Sequence, residues 1–208
     1  IVSKDRSLGA KLIENHEDNF NIIIMDDGLQ NYQLEQDIKF LLVDKNLKFG
    51  NEFCIPAGPL REPASQGLMR IDAIVLTGNN NKEIDFNNVH NKTVFNSKVK
   101  TMKPPKIKKE KLLAFCGLAN SNKFYETLKE NGFNVTSTKS FPDHYEYKNE
   151  DVDKLIKEAN SQNLKLITTE KDYVKINDNK KLINTLLIEL ELDVKDKAIF
   201  NSFLQEKL

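Results

Sequence analysis

Phe20-Asn21-Ile22-Ile23-Ile24-Met25-Asp26-Asp27-Gly28 is the stretch on which the fold turns. Its apolar residues run on without alternating, as they do in a strand covered on both faces of a parallel sheet. The run predicts a buried strand over 20–27 that ends in two carboxylates. Working outward, a helical pattern over 5–19 precedes it. Further strands are predicted at IKFLLVD (38–44), DAIVLTG (72–78), a weaker KTVFNSKV (92–99), KLLAFCGL (111–118), NVTSTKSF (134–141), KLITTEKD (165–172) and TLLIELEL (185–192). Between the later strands lie marked helices. Asn120 and Ser121 can cap one that runs to Asn131, where Gly132 supplies a stop. Asn149 can cap the next, with Val152, Leu155, Ile156 and Ala159 as its inward stripe. Ile199, Phe200, Phe203 and Leu204 stand at helical spacing in the tail from Lys195. The alternation predicts an α/β fold: mostly parallel sheet layers with flanking helices.

Composition narrows the function classes. The 208 residues suffice for one large domain or two small ones with a genuine core. With 39% apolar residues, 30% charged, and 31 basic residues against 31 acidic, disorder and nucleic-acid binding through bulk charge are both disfavoured. No apolar run approaches the roughly eighteen residues of a membrane span. Cys54 and Cys116 are too few for a disulfide framework and lack metal-ligand spacing, so a reducing cytosolic compartment is expected. The chain opens Ile1-Val2-Ser3-Lys4, without an initiator Met, and so reads as a piece of a longer protein. Its basic residues are 28 Lys and only 3 Arg. Arg6, Arg61 and Arg70 therefore mark places where a planar fork is needed, unless they are ordinary surface residues.

Two stretches interrupt the alternation. Residues 50–69 (GNEFCIPAGPLREPASQGLM) are dense in Gly and Pro and predict a long ordered loop of the kind that often carries function. Residues 98–111 (KVKTMKPPKIKKEK) carry seven Lys against one Glu, around Pro104-Pro105. They read as a solvated linker between two lobes or as a patch attracted to anionic lipid or phosphate.

Four groups could carry chemistry. Asp26 and Asp27 fall at the carboxyl end of their strand, where open α/β sheets bind ligands. Adjacent carboxylates repel unless a cation is present, and Mg²⁺ with phosphate is the usual answer; a simple Asp-Gly turn is the alternative. The GxxxxGK[ST] phosphate loop that should accompany such a pair is absent from the 208 residues, and the single Gly117 of CGLANSNK is a poor substitute. Arg61 and Glu62 sit in Pro59-Leu60-Arg61-Glu62-Pro63, a frame that restricts the backbone and fixes the direction of both side chains. Arg61 could fork onto phosphate with Glu62 orienting it, or the two could be a surface pair. His144, in Phe141-Pro142-Asp143-His144-Tyr145, has an adjacent acid and flanking Tyr145 and Tyr147 that can tune an imidazole, or it is a surface contact. His16 and His90 need no role. Thr168-Thr169-Glu170-Lys171-Asp172 closes another strand at the ligand edge, or forms a charged turn.

DDGLQ (26–30), FGN…PAGPLREP (49–63), FCGLAN (115–120), FPDHYEY (141–147) and TTEKDYVKI (168–176), in this order, resemble the tetraacyldisaccharide 4′-kinases, the lipid A 4′-kinases of Gram-negative bacteria. The resemblance implies a P-loop kinase domain and a smaller α/β domain joined by a two-stranded linker. It implies transfer of the γ-phosphate of ATP to the 4′-hydroxyl of a tetraacyldisaccharide 1-phosphate at the cytoplasmic face of the inner membrane. On this basis 1–34 would be a remnant of the P-loop domain and 35–192 the second domain with its linker strands. Residues 193–208 would form a helix packing back on the first domain. Asp26 and Asp27 correspond to the metal pair, Gln30 to a site glutamine, and Arg61 and Glu62 to the essential Arg-Glu. His144 corresponds to the histidine that supports the catalytic aspartate, and Arg6, more loosely, to a basic residue before the helix.

Leu29 and Asn31 depart from the family's aromatic and His after DDG, so an ionisable role at position 31 is not expected. The implied cofactors are ATP and Mg²⁺, and the implied partner is the lipid A disaccharide precursor. No nucleic-acid partner is expected. The phosphate loop, the base aspartate and a membrane-contacting helix would lie upstream of residue 1, and the chain alone would be inactive. Oligomeric state is left open. The competing readings are a non-catalytic remnant or binding lobe and, with little to support it, a receiver-like phosphoacceptor domain.

Overall fold

A computed structural model describes residues 1–78, 92–102, 106–178 and 180–208. His90 and the Pro104-Pro105 pair of the Lys-rich stretch lie outside the described residues. The chain forms two compact units: Ile1–Val99 with Leu190–Leu208, and Lys100–Glu189.

The first unit begins with helix α1 (Arg6–Glu14), shorter than the expected 5–19. Asp5 caps it, its Oδ1 accepting from the backbone N–H groups of Ser7 and Leu8 at 2.9 and 3.1 Å. Strands β1 (Phe40–Asp44), β2 (Ala73–Thr77) and β3 (Thr93–Met102) pair in parallel, with Phe40 beside Ala73 and Ala73 beside Thr93. One face of this sheet buries Val43, Ile71, Ile74 and Leu76 with Leu68 of helix α2 (Ala64–Arg70). Phe95 of β3 and Phe40 of β1 pack on Phe200 and Phe203 of the terminal helix α6 (Val194–Lys207), with ring centroids 5.0–5.8 Å apart. The Asp193 N–H donates to the Asn96 carbonyl at 2.8 Å, and Lys207 Nζ reaches Asp72 Oδ1 at 3.2 Å, which fastens α6 at both ends.

Two expectations fail in this unit. The run over 20–27 is not a strand: Ile22 and Ile24 are 60% and 90% exposed. A strand buried on both faces needs neighbours along both edges and cover above and below, and the described residues place none beside this run. The 50–69 loop is irregular only as far as Pro63, where α2 begins. Pro63 supplies the extended backbone just before the first turn, a position proline tolerates because it lies outside the helix interior. The compact unit extends past residue 34, where the sequence suggests a division. Residues up to Val99 belong with the DDG segment, because Leu29 packs on the β1–β2 core and Gln36 Nε2 donates to the Gly28 carbonyl at 2.8 Å.

In the second unit β4 (Lys111–Cys116) lies between β5 (Asn134–Ser140) and β6 (Lys165–Thr169), with β7 (Ile183–Leu192) beyond β6, all parallel. Alternation along β4 sends its two faces into two cores. Leu112, Ala114 and Cys116 meet Phe124, Tyr125 and Leu128 of α3 (Ser121–Glu130). Leu113 and Phe115 meet Val152, Leu155 and Ala159 of α4 (Asn149–Ser161). Asn120 caps α3 as expected, and Gly132 adopts φ 76° just past its end. The cap position of α4 is Lys148 rather than Asn149, its N–H donating to Asp151 Oδ2 at 3.1 Å. The expected strand at 165–172 stops at Thr169, and Glu170–Tyr173 form a short helical turn, α5. From β4 the chain goes first to β5 on one side and then to β6 on the other, so the topological switch lies between β4 and β6. Among the described residues no helix is long and apolar enough to cross a membrane.

Candidate functional site

The DDG turn and the proline-framed loop meet in the first unit. Asp27 sits at φ 51°, a left-handed conformation that Asp tolerates better than most residues. Arg6 Nη1 donates to the Asp26 carbonyl at 2.9 Å and pins the turn from the side of α1. On the other loop, the Ile55 N–H donates to the Leu60 carbonyl at 2.8 Å, and Asn51 Nδ2 to the Ala57 carbonyl at 2.9 Å. Gly58 is required in this fold-back, since a Cβ there would lie 2.3 Å from the Phe53 carbonyl oxygen. So braced, the loop delivers Arg61 Nη2 to Asp27 Oδ2 at 2.7 Å. Both side chains are more than half exposed, at 55% and 60%, so the pair is worth less than about 1 kcal/mol and can exchange partners.

Glu62 turns the other way. Its Oε1 accepts from Gln30 Nε2 at 2.8 Å and from Arg70 Nη2 at 2.6 Å, and its side chain is only 16% exposed. The hydrogen bond from Arg70 holds this carboxyl below the usual glutamate range; burial opposes the shift and Gln30 adds to it. Arg70 also lies over the Tyr32 ring, 5.4 Å from its centroid. The structure thus brings Arg6, Asp26, Asp27, Gln30, Arg61 and Glu62 into one constellation within this unit. Among the described residues no group of three or more His, Cys, Asp or Glu could hold a metal, so Asp26 and Asp27 offer two carboxylates and no third.

His144 belongs to the second unit. Its backbone is left-handed at φ 58°, and its N–H donates to Asp143 Oδ1 at 3.0 Å. The imidazole is exposed, with Nε2 3.8 Å from Asp143 Oδ2, and Lys171 Nζ stands 4.0 Å from the same carboxylate's Oδ1. The aromatic setting expected for it is not formed. Tyr147 is buried against Phe115 and Phe141, and the half-buried Tyr145 packs on Phe141 and Tyr147, at centroid distances of 4.8–5.8 Å, leaving Asp143 as the imidazole's acidic neighbour.

Two residues take roles more specific than the sequence suggests. Arg70 was noticeable only through its scarcity. Asp172 is fully buried, and its Oδ2 accepts from the Gly117 N–H at 3.1 Å and from Thr169 Oγ1 at 2.7 Å. It ties the loop after β4 to the end of β6, at the switch point. Its signal was the last acid of TTEKD.

Comparison with known proteins follows this geometry. Residues 1–208 match the model of a family described as tetraacyldisaccharide-1-P 4′-kinase. The chain is 41% identical over 181 residues to the tetraacyldisaccharide 4′-kinase of Rickettsia bellii, covering 86% of this chain and 56% of that protein. It is 33% identical over 211 residues to that of Bartonella quintana, covering 99% and 61%. In structure it is similar to LpxK from Aquifex aeolicus in complex with ATP, with a TM-score of 0.73 and 27% identity over 99% of this chain and 63% of that one. The chain therefore spans less than two thirds of the length of each of these proteins.

Proposed function

From the premise that the chain belongs to the tetraacyldisaccharide-1-P 4′-kinase family, we propose that it supplies the metal-binding acids and arginine clamp of an ATP-dependent lipid kinase. The reaction moves the γ-phosphate of ATP to the 4′-hydroxyl of a tetraacyldisaccharide 1-phosphate, at the cytoplasmic face of the inner membrane. The observation that carries this reading is the 2.7 Å contact between Arg61 and Asp27, which brings the proline-framed loop to the DDG turn.

Asp26 and Asp27 would hold Mg²⁺. Two carboxylates suit that ion, which usually takes one or two from protein and completes its shell with phosphate and water. When bound, the ion neutralises charge on the phosphates. Arg61 then has a fork free for phosphate oxygens, because its bond to Asp27 is exposed and readily exchanged. Gln30 and Glu62 hold the loop against the DDG turn, and Arg6 holds that turn from behind. His144 supports the catalytic aspartate of the family. That aspartate, the phosphate loop and the peripheral membrane contact come from residues outside these 208. The exposed Ile22-Ile23-Ile24 run supports this, since it offers apolar surface on which such residues can pack. The chain alone is then inactive.

The test is transfer of phosphate from ATP to tetraacyldisaccharide 1-phosphate by the full-length gene product. Asp27→Ala is expected to lower turnover by on the order of a hundredfold or more. Wild-type turnover in that variant would remove the metal role, and turnover by the 208-residue chain alone would refute the division of labour. A full-length product with no activity would leave the non-catalytic reading.

A further inference from the structure

We propose that Arg70 is a positioning residue that keeps Glu62 away from the adjoining Arg61, leaving Arg61 to face Asp27 and phosphate. The value of that arrangement to catalysis rests on the function proposed above; the arrangement itself does not.

Arg61 and Glu62 are neighbours of opposite charge on a rigid loop. With nothing to separate them, such neighbours neutralise each other, and a phosphate clamp would be lost. In the structure each has another partner. Arg61 reaches Asp27, while Glu62 Oε1 accepts from Arg70 Nη2 at 2.6 Å and from Gln30 Nε2 at 2.8 Å. The two donors come from different elements, Gln30 from the DDG turn and Arg70 from the last turn of α2.

Arg70 is itself fixed on three sides. Nη2 bonds Glu62, Nη1 donates to the Gln66 carbonyl at 3.2 Å, and the guanidinium lies over Tyr32. Only a planar, forked cation meets all three at once; an ammonium supplies a point charge without the fork. That accounts for an arginine here, in a chain that otherwise prefers lysine.

The two ion pairs also differ in shelter. Side-chain exposure is 30% and 16% for Arg70 and Glu62, against 55% and 60% for Arg61 and Asp27. One pair is built to stay and the other to exchange. The lowered protonation midpoint of Glu62, caused first by the Arg70 hydrogen bond, agrees with a carboxylate held ionised in place.

The test uses the 208-residue chain and reads two NMR signals, the ¹³C carboxyl titration of Glu62 and the ¹⁵N guanidinium resonance of Arg61. With three arginines in the chain, the second is readily assigned. In Arg70→Gln the Glu62 midpoint is expected to rise toward the ordinary glutamate value, and the Arg61 resonance to move as it turns to Glu62. Arg70→Lys keeps the charge, guards against loss of the fold, and is expected to restore both only in part. If neither signal moves in either variant, the inference is overturned, whatever the kinase assay shows. In the full-length product Arg70→Gln is expected to lower kcat by about ten- to a hundredfold with little change in the KM for lipid. Moved signals with unchanged kcat would uphold the positioning and instead overturn the phosphate role of Arg61.

Discussion

Two apolar runs of nearly the same character have opposite fates. Phe20–Met25 and Lys111–Cys116 each end where a loop begins, and each carries five apolar residues. The second is an interior strand of a sheet: Leu112 through Cys116 are fully buried between β5 and β6, with α3 and α4 on the two faces. In the first, Phe20, Ile22, Ile23 and Ile24 are exposed, the last at 90%, and no strand among the described residues pairs with it. The difference lies in neighbours. A continuous apolar run states that a strand would be stable if flanked and covered; it does not supply the flanks.

The largest effect should separate the two runs directly. Leu113→Ala is expected to cost about 2–5 kcal/mol in denaturant unfolding of the chain, because the side chain is fully enclosed. Ile24→Ala is expected to stay within about 0.5 kcal/mol. Equal losses would mean that the 20–25 run is buried in solution and that the contrast is false.

A second comparison sets the buried acid of one unit against the exposed acid of the other. Asp172→Ala removes the acceptor for the Gly117 N–H and for Thr169 Oγ1 in a closed interior, and is expected to cost about 2–3 kcal/mol. Asp27→Ala, in an open site, is expected to alter stability by less than about 1 kcal/mol while removing activity. The same unfolding experiment reads both.

The smallest effect concerns pH. Glu62 has a lowered folded midpoint, chiefly through Arg70, so its stabilisation is complete above the unfolded glutamate value near 4.5 and fades as pH falls through the lower folded one. Glu62→Gln is therefore expected to be less stable than wild type by about 1 kcal/mol near neutrality, with the gap closing in acid. A gap that widens in acid would reverse the sign of the interaction. This would make Glu62, like Arg61, an exchangeable member of the site.

Most of the fold was legible because its strands are continuous or alternating apolar runs bounded by turn residues, as at 38–44, 72–78 and 111–118. The helices α3, α4 and α6 were legible through caps and inward stripes such as Val152, Leu155 and Ala159. What escaped has physical reasons. Helix α2 was hidden because Pro63 and Gly67 read as breakers, yet Pro63 stands outside its first turn and Gly67 is buried. Strand β6 ends early because the Thr169 hydroxyl accepts the Asp172 N–H at 3.1 Å and starts a helical turn, a local choice that competes with extension.

Of the site, residue types and motifs were visible, but partners were not. Asp27 and Arg61 are 34 residues apart, and no periodicity connects them. Tyr145 and Tyr147 flank His144 in sequence, yet Tyr147 is buried and Tyr145 packs against the same core, while His144 sits in a left-handed conformation.

The most direct measurement places Mn²⁺ in the ATP-loaded full-length gene product and follows paramagnetic broadening of assigned NMR signals. The expected result is strong broadening at Asp26, Asp27 and Arg61, with Leu113 untouched. Sharp signals at Asp26 and Asp27, with ATP and Mn²⁺ both bound, would contradict a metal site at the paired acids.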